Sequence, residues 1–88
     1  MIIDNRMVFN VEMISGNVVK MVTKEPSELE NTTNGKLVIL NFFNGELFVG
    51  LFNGIDNGEI LLKSPGLKIN KATIGLPYNK LQTVLSEL

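Results

Sequence analysis

The chain contains neither cysteine nor histidine. Without cysteine it can form no disulfide and no thiolate metal site, and without histidine it lacks the commonest general base and the commonest nitrogen ligand of metals. A serine or threonine nucleophile would have no usual base beside it. No glycine-rich stretch has the spacing of a phosphate-binding loop followed by a helix. We therefore expect no enzyme activity, no cofactor, no metal and no small-molecule substrate.

Long apolar runs are also missing. None approaches the roughly 18 residues of a membrane-spanning helix, and the N-terminus lacks the basic and apolar regions of a signal peptide. We expect a soluble cytoplasmic protein with no membrane partner. With 88 residues, 44% of them hydrophobic and 19% charged, the composition is that of one globular domain. A chain this small buries only about 60–65% of its unfolded surface, so self-association would stabilise it.

The net charge of −1 argues against a general polyanion binder, but the charge is unevenly distributed. Residues 1–59 carry a balance of −4, whereas residues 60–86 carry four lysines and no acid. This asymmetry predicts a basic surface if several copies are arranged around an axis. Solvated lysines that protect strand edges against aggregation are the alternative interpretation.

Three apolar segments separated by two turn signals dominate the middle of the chain. Their Val, Ile, Leu and Phe content is typical of strands. Asn44-Gly45 indicates a type I′ hairpin turn, in which both central residues need φ > 0, and Asp56-Asn57-Gly58 has the same turn chemistry. The sequence therefore predicts a three-stranded antiparallel meander. Its strands are residues 36–43, 46–55 and 59–63.

Both faces of this meander are apolar. Alternation along the strands divides the large side chains into two sets. The first set is Val38, Leu40, Phe42, Phe48 and Phe52. The second set is Leu37, Ile39, Phe43, Leu47, Val49 and Leu51. A second apolar face on so short a chain needs a cover, either another segment or another copy. Gly50 in mid-strand indicates a sharp bend or bulge, with a close backbone contact as the alternative.

The segments on either side of the meander are less regular. Residues 1–23 form an N-terminal extension whose apolar segments flank Ser15-Gly16-Asn17, which predicts a hairpin; its methionines keep a helix as the alternative. We expect this extension to cover the second apolar face or an oligomer surface. A short helix is predicted at Pro26–Glu30, where Ser27 and Glu30 have the spacing of a capping box. Two further strands are predicted, over residues 67–76 and 81–88.

The turn residues and their spacing resemble the first signature of Sm-like proteins. Asn44-Gly45, Gly50 and Asp56 match its spacing, which is closest to the Hfq branch because residues 60–63 follow Asp56 without a gap. The resemblance implies a mostly β fold: a five-stranded antiparallel barrel of the Sm-like, SH3-type class over residues 24–88, with the short helix at its open end. It also implies a homo-oligomeric ring, closed by pairing of strands four and five of neighbouring copies.

The resemblance further implies binding of single-stranded RNA in the loops after strands two and four. At the matching positions, Asn57 would bond a base edge, Tyr78 would stack on a base, and Lys80 and Lys63 would meet phosphates. The chain departs from the family at both loops. Asn57-Gly58 replaces a polar residue followed by a stacking aromatic, and the second signature is absent from residues 76–80. A turn asparagine, a core-capping tyrosine and solvated lysines are the alternative interpretations.

Three hypotheses follow. The first is an Sm-like homo-oligomeric ring that binds single-stranded RNA, and the second is a ring used as a scaffold or protein-interaction module that has lost RNA binding. The third is a monomeric SH3-type barrel that recognises peptide through exposed apolar side chains. A divergent, virus-encoded member of the family would fit the missing second signature. Asp56 and Glu59 are interpreted as a turn residue and a strand residue rather than as a metal site.

Overall fold

The structure is a computed structural model that describes residues 7–63 and 73–88. Seven antiparallel strands form one open sheet in the order β1-β2-β7-β3-β4-β5-β6. The strands are β1 (Val8–Glu12), β2 (Val18–Lys24), β3 (Leu37–Phe42), β4 (Leu47–Asp56), β5 (Glu59–Lys63), β6 (Thr73–Pro77) and β7 (Leu81–Glu87). Two 3₁₀ helices, Pro26–Asn31 and Tyr78–Lys80, complete the described elements. The prediction of a mostly β protein is confirmed.

One face of β3, β4, β5 and β7 supplies the hydrophobic core. The buried side chains are Leu29, Val38, Leu40, Phe42, Phe52, Ile60, Leu62, Leu81 and Val84. Phe48 is partly buried and packs against this cluster. The first predicted set of side chains therefore lies on one face, as the alternation required. Each fully buried aliphatic side chain contributes about 1.5–3 kcal/mol to stability, so this face is the main source of folding free energy.

The predicted N-terminal hairpin is present in the described residues 8–24, and the helical alternative is wrong for them. β1 and β2 pair with each other, and β2 continues the sheet by pairing with β7. Met21 on β2 is fully buried. The sequence predicts five strands and a separate hairpin, whereas the structure joins all seven strands into one sheet. The hairpin strands satisfy the backbone groups along one side of β7, which would otherwise be an open edge.

The short helix before β3 differs from the predicted one in type and in cap. Pro26–Asn31 is a 3₁₀ helix, and the N–H group of Glu25 donates to the Glu28 carboxylate at 2.8 Å. The capping residues are thus Glu25 and Glu28, two positions before the predicted Ser27 and Glu30. Leu29 is buried in the core and anchors the helix. No helix in the described residues is long and apolar enough to cross a membrane.

At Gly50 the backbone of β4 lies close to β5. A methyl group on it would lie 3.0 Å from the Lys63 carbonyl oxygen and 3.1 Å from Leu62 Cβ. The pairing of Gly50 with Val38 on β3 is regular, so the predicted bulge is wrong, and the alternative of a close contact is confirmed. The register shift of β4 against β5 lies between Phe52 and Ile55, and it includes Gly54 with φ of 99°.

The last two strands also differ from their predictions. β6 spans Thr73–Pro77, and the first part of the predicted strand 67–76 falls outside the described residues. The sequence puts Leu81 and Val84 on opposite faces of the last strand, but both are buried. The register against β3 shifts between Asn41 and Phe42, so β7 contains one extra residue there. A bulge of this kind reverses the alternation beyond it, which turns both side chains to the core.

Candidate functional site

The loop between β3 and β4 is a three-residue loop, not the predicted type I′ turn. The Phe42 N–H group donates to the Glu46 carbonyl at 3.0 Å, and Gly45 N–H donates to the Phe42 carbonyl at 2.9 Å. Gly45 has φ of 87°, whereas Asn44 has no positive φ. This is the hairpin loop that ends in a left-handed glycine. The Asn44 side chain stabilises it by accepting the Glu46 N–H group at 3.0 Å.

The three-residue loop has a consequence for Phe43. Because the loop begins one residue earlier than a turn at Asn44-Gly45 would, Phe43 leaves the strand and lies on the loop. Its side chain is 71% exposed, which is unusual for a phenylalanine. The sequence places Phe43 on the second apolar face, and that prediction is wrong.

The two-residue turn between β4 and β5 follows the predicted chemistry. Asn57 has φ of 51° and Gly58 has φ of 75°, and the flanking Asp56 and Glu59 are cross-strand partners. Positive φ at both central residues is the property of a type I′ turn. Asn57 is exposed, so its amide is available to solvent or to a ligand.

The second 3₁₀ helix joins these two turns. At its start, the Tyr78 N–H group donates to the Gly58 carbonyl at 2.9 Å. At its end, the Lys80 carbonyl accepts the Phe43 N–H group at 3.1 Å. Segments that are distant in sequence therefore lie side by side, held by backbone hydrogen bonds. We refer to residues 43–45, 57–58 and 78–80 together as the turn cluster.

An apolar groove opens beside the turn cluster. Its volume is about 440 Å³. Its lining residues are Phe42, Phe43, Asn44, Glu46, Phe48, Leu76, Pro77 and Lys80. The rings of Phe42 and Phe48 pack edge to face, with centroids 5.6 Å apart and planes at 89°. This pair forms a fixed apolar wall, while Phe43 and Lys80 supply an exposed ring and an ammonium group at the same place.

Three of the four residues predicted for RNA binding lie in the turn cluster. Asn57 and Lys80 are exposed, whereas the Tyr78 ring is half-buried and packs against the core. Tyr78 thus lies where a core-capping tyrosine would, in agreement with the alternative interpretation of this residue. Lys63 lies at the far end of β5, where its cross-strand partners are Leu51 and Thr73. At the rise of a strand, it is roughly 13 Å along β5 from the turn and does not join the cluster.

Phe43 is the member of the cluster that sequence reasoning missed. The signal in the sequence is the aromatic residue directly before Asn44-Gly45. A two-residue turn keeps that residue in the strand, whereas a three-residue loop places it on the loop. The remaining signature residues, Gly50 and Asp56, have structural positions: a close backbone contact and the residue before the β4–β5 turn.

The charge around the turn cluster is mixed. Lys80 is its one cation, while Glu46 lines the same groove and Asp56 and Glu59 flank the other turn. Within the described residues, no group of three acidic side chains is placed to hold a metal ion. The cluster therefore offers an aromatic face, an amide and a single positive charge.

A second groove separates the N-terminal hairpin from the outer face of β3 and β4. Its volume is about 710 Å³. It is lined chiefly by apolar side chains: Val11, Met13, Ile14, Val19, Leu37, Ile39, Val49 and Leu51. The hairpin thus faces the second apolar face but covers it incompletely, because Leu37 is buried while Val49 remains 45% exposed.

The turn cluster combines groups that bind nucleobases in other proteins, and it is built from loops that only the fold brings together. The chain matches no protein-family model, no curated protein and no solved structure. Its function is therefore inferred from the chemistry of this cluster and from the arrangement of the sheet.

Proposed function

We propose that the chain is an Sm-like barrel that assembles with its own copies into a ring and binds single-stranded RNA at the turn cluster. The observation that carries the proposal is the 2.9 Å hydrogen bond between Tyr78 N–H and the Gly58 carbonyl. If β3 to β7 are the five strands of the barrel, this bond joins the loops after its second and fourth strands. Those are the two loops that the resemblance assigns to RNA.

The groups in the turn cluster have complementary roles in this proposal. Phe43 replaces the stacking aromatic that is missing after Asn57, and stacking contributes about 1–3 kcal/mol per base. The Asn57 amide has donors and an acceptor for a base edge, and the Lys80 ammonium group attracts a phosphate. The adjacent groove of about 440 Å³ lies within the usual size range of small-ligand pockets, so it can accept a flipped base.

Assembly supports RNA binding because one cluster per chain is a weak site. A single lysine neutralises one phosphate, and each such contact adds about −0.7 to the slope of log K against log salt for single strands. Several copies around an axis present several clusters to one RNA strand. The second and later contacts then become intramolecular, which raises the overall affinity without any new contact type.

Fluorescence anisotropy with labelled U-rich and A-rich oligonucleotides, at 50 and 200 mM salt, tests RNA binding. We expect salt-sensitive binding that Lys80→Gln weakens with a smaller salt slope. Asn57→Gly should weaken it too, while keeping a residue suited to positive φ. Lys63→Gln is the matched control, since it removes the same charge outside the cluster and should leave affinity unchanged. Absence of binding, or equal loss in both lysine variants, would refute the RNA site.

A ring that serves as a scaffold without RNA is the second candidate. It is favoured by the acidic side chains of Glu46, Asp56 and Glu59 beside a single lysine, because they repel phosphate. Light scattering on a sizing column, with the ratio of absorbance at 260 and 280 nm, separates the candidates. RNA binding predicts an oligomer that retains nucleic acid, and the scaffold predicts the same oligomer without it. A monomer would favour the peptide-binding barrel.

A further inference from the structure

The described sheet ends in two strands whose outer sides have no partner within the described residues. β1 pairs only with β2, and β6 pairs only with β5, among the residues that the structure describes. Each is five residues long, and each has the same burial pattern, with all but the fourth residue exposed. An exposed strand edge presents a row of unpaired N–H and carbonyl groups, which is a template for another chain.

Both terminal strands have little of the usual protection of edges. β6 has no charged residue and a single proline, Pro77, at its end; β1 has only Glu12 at its end, and neither contains lysine. Large apolar side chains are exposed on them instead: Val8 is 54% exposed, Phe9 39% and Ile74 47%. Charged side chains and bulges on edge strands prevent association in monomeric proteins. With so few charges and one terminal proline, both edges are suited to pairing with another chain.

The edge that Sm-like rings would use is occupied within the chain. β7 pairs with β3 on one side and with β2 on the other, in a register from Met21↔Glu87 to Lys24↔Val84. The hairpin therefore occupies the outer side of β7 from Val84 to Glu87, and a neighbouring copy has no access to that part of the strand. Among the described strands, β1 and β6 are the two that have a whole side left for pairing with another copy.

We propose that copies of this chain join head to tail, with β1 of one copy pairing with β6 of the next. This inference rests on the proposed ring and specifies its interface. Pairing of β1 with β1, or of β6 with β6, leaves one edge of each copy open in a dimer and gives an unlimited fibre if both occur. Head-to-tail contacts that close into a ring leave no edge open. In this arrangement the N-terminal hairpin pairs with β7 through β2, and it offers β1 to the neighbouring copy in place of β7.

Cysteine cross-linking tests this interface in the 88-residue chain, because the chain has no cysteine of its own. A double variant, Phe9→Cys with Ile74→Cys, is treated with a short bismaleimide and analysed on denaturing gels. We expect a ladder of covalent multimers that ends at the number of subunits in the ring. Each single variant alone should remain monomeric on the gel, since like edges do not meet.

The controls distinguish the interface from the ring itself. A Gln82→Cys, Ile74→Cys double variant should give no ladder, because Gln82 is exposed but lies on β7, inside the sheet. Cross-linked dimers from either single variant would overturn the head-to-tail arrangement. An oligomer by light scattering with no ladder from the Phe9, Ile74 variant would overturn the interface and leave the proposed ring. A wild-type monomer at all concentrations would overturn both.

A charge on the edge gives an independent test that does not depend on cross-linker reach. Ile74→Lys places a lysine on β6, and lysine on natural edge strands prevents association. We expect the dissociation constant of the assembly to rise at least tenfold. Gln82→Lys adds a positive charge within the sheet and should leave the assembly unchanged. Equal behaviour of the two variants in light scattering would contradict β6 as a binding edge.

Discussion

Two hairpin loops in this molecule share the same backbone hydrogen bonds but have different surroundings. In the loop of β1–β2, Met13 N–H donates to the Asn17 carbonyl at 2.8 Å and Gly16 N–H to the Met13 carbonyl at 2.8 Å. Phe42, Gly45 and Glu46 form the equivalent bonds in the loop of β3–β4, as described above. Gly16 and Gly45 have φ of 91° and 87°. In each loop a side-chain oxygen accepts the backbone N–H group two residues further on. Ser15 accepts from Asn17, and Asn44 accepts from Glu46.

The difference lies in what the fold places beside each loop. Phe43 N–H is bonded to the Lys80 carbonyl, and Lys80 lines the adjacent groove. Ile14 occupies the same loop position, is fully exposed, and lines a groove whose charged residues are Glu12 and Glu87. A glycine and a short polar residue are sufficient to set the loop backbone. The neighbours, not the loop, give the β3–β4 side the groups of the proposed RNA site.

The largest expected difference concerns the residue that directly precedes each loop. Phe42 is 4% exposed and belongs to the core, whereas Met13 is half-buried outside it. Phe42→Ala should lower the free energy of unfolding by about 3–5 kcal/mol, and Met13→Ala by less than about 2 kcal/mol. Urea denaturation monitored by circular dichroism measures both. Equal losses would show that the two loops are packed alike.

The loop tips should differ in RNA binding and not in stability. Phe43→Ala should weaken oligonucleotide binding by about 1–3 kcal/mol, or roughly 5- to 150-fold, since it removes a stacking face. Ile14→Ala is the matched control with no change in affinity. Ile14→Phe sharpens the comparison, because an aromatic tip without a neighbouring lysine should not gain binding. Anisotropy titrations on all three variants measure these affinities. A change in affinity in either Ile14 variant would contradict the difference between the two loops.

The two loop glycines should respond alike, because their backbones are alike. Gly45→Ala and Gly16→Ala each force an L-residue into the left-handed region, at a cost of about 1–2 kcal/mol. A methyl group would meet no heavy atom within 4 Å at either position, so strain is the only contribution. Urea midpoints measure the loss. A difference above about 1 kcal/mol between the variants would mean that one loop relaxes.

The smallest effects concern the side-chain oxygens that hold the loops. Asn44 accepts its N–H group at 3.0 Å and Ser15 at 3.5 Å, so the first bond is the stronger. Asn44→Ala should reduce stability by about 0.5–1 kcal/mol and Ser15→Ala by less. Amide hydrogen exchange at Glu46 and Asn17 reports each bond directly. Faster exchange at Asn17 than at Glu46 in the wild type is also expected.

Local rules predicted much of the fold. Alternation placed Val38, Leu40 and Phe42 in the core, and Asn57-Gly58 formed the turn that its chemistry requires. The same rule for Asn44-Gly45 failed, because Asn-Gly suits both a two-residue turn and the end of a three-residue loop. That difference of one residue decided whether Phe43 lay in the strand or on the surface. The extra residue in β7 was equally invisible, since a bulge has no sequence marker of its own.

The amino-acid order by itself determined strand content, the positions of the turns and the composition of the core. These properties depend on side-chain alternation and on the φ preferences of glycine and asparagine, which act over a few residues. Only the tertiary structure decided that β2 pairs with β7, that the second 3₁₀ helix joins two distant turns, and that β1 and β6 are the outermost strands of the described sheet. Backbone hydrogen bonds make these contacts, and since every residue but proline has the same backbone groups, the choice of partner depends on the packing of the whole sheet.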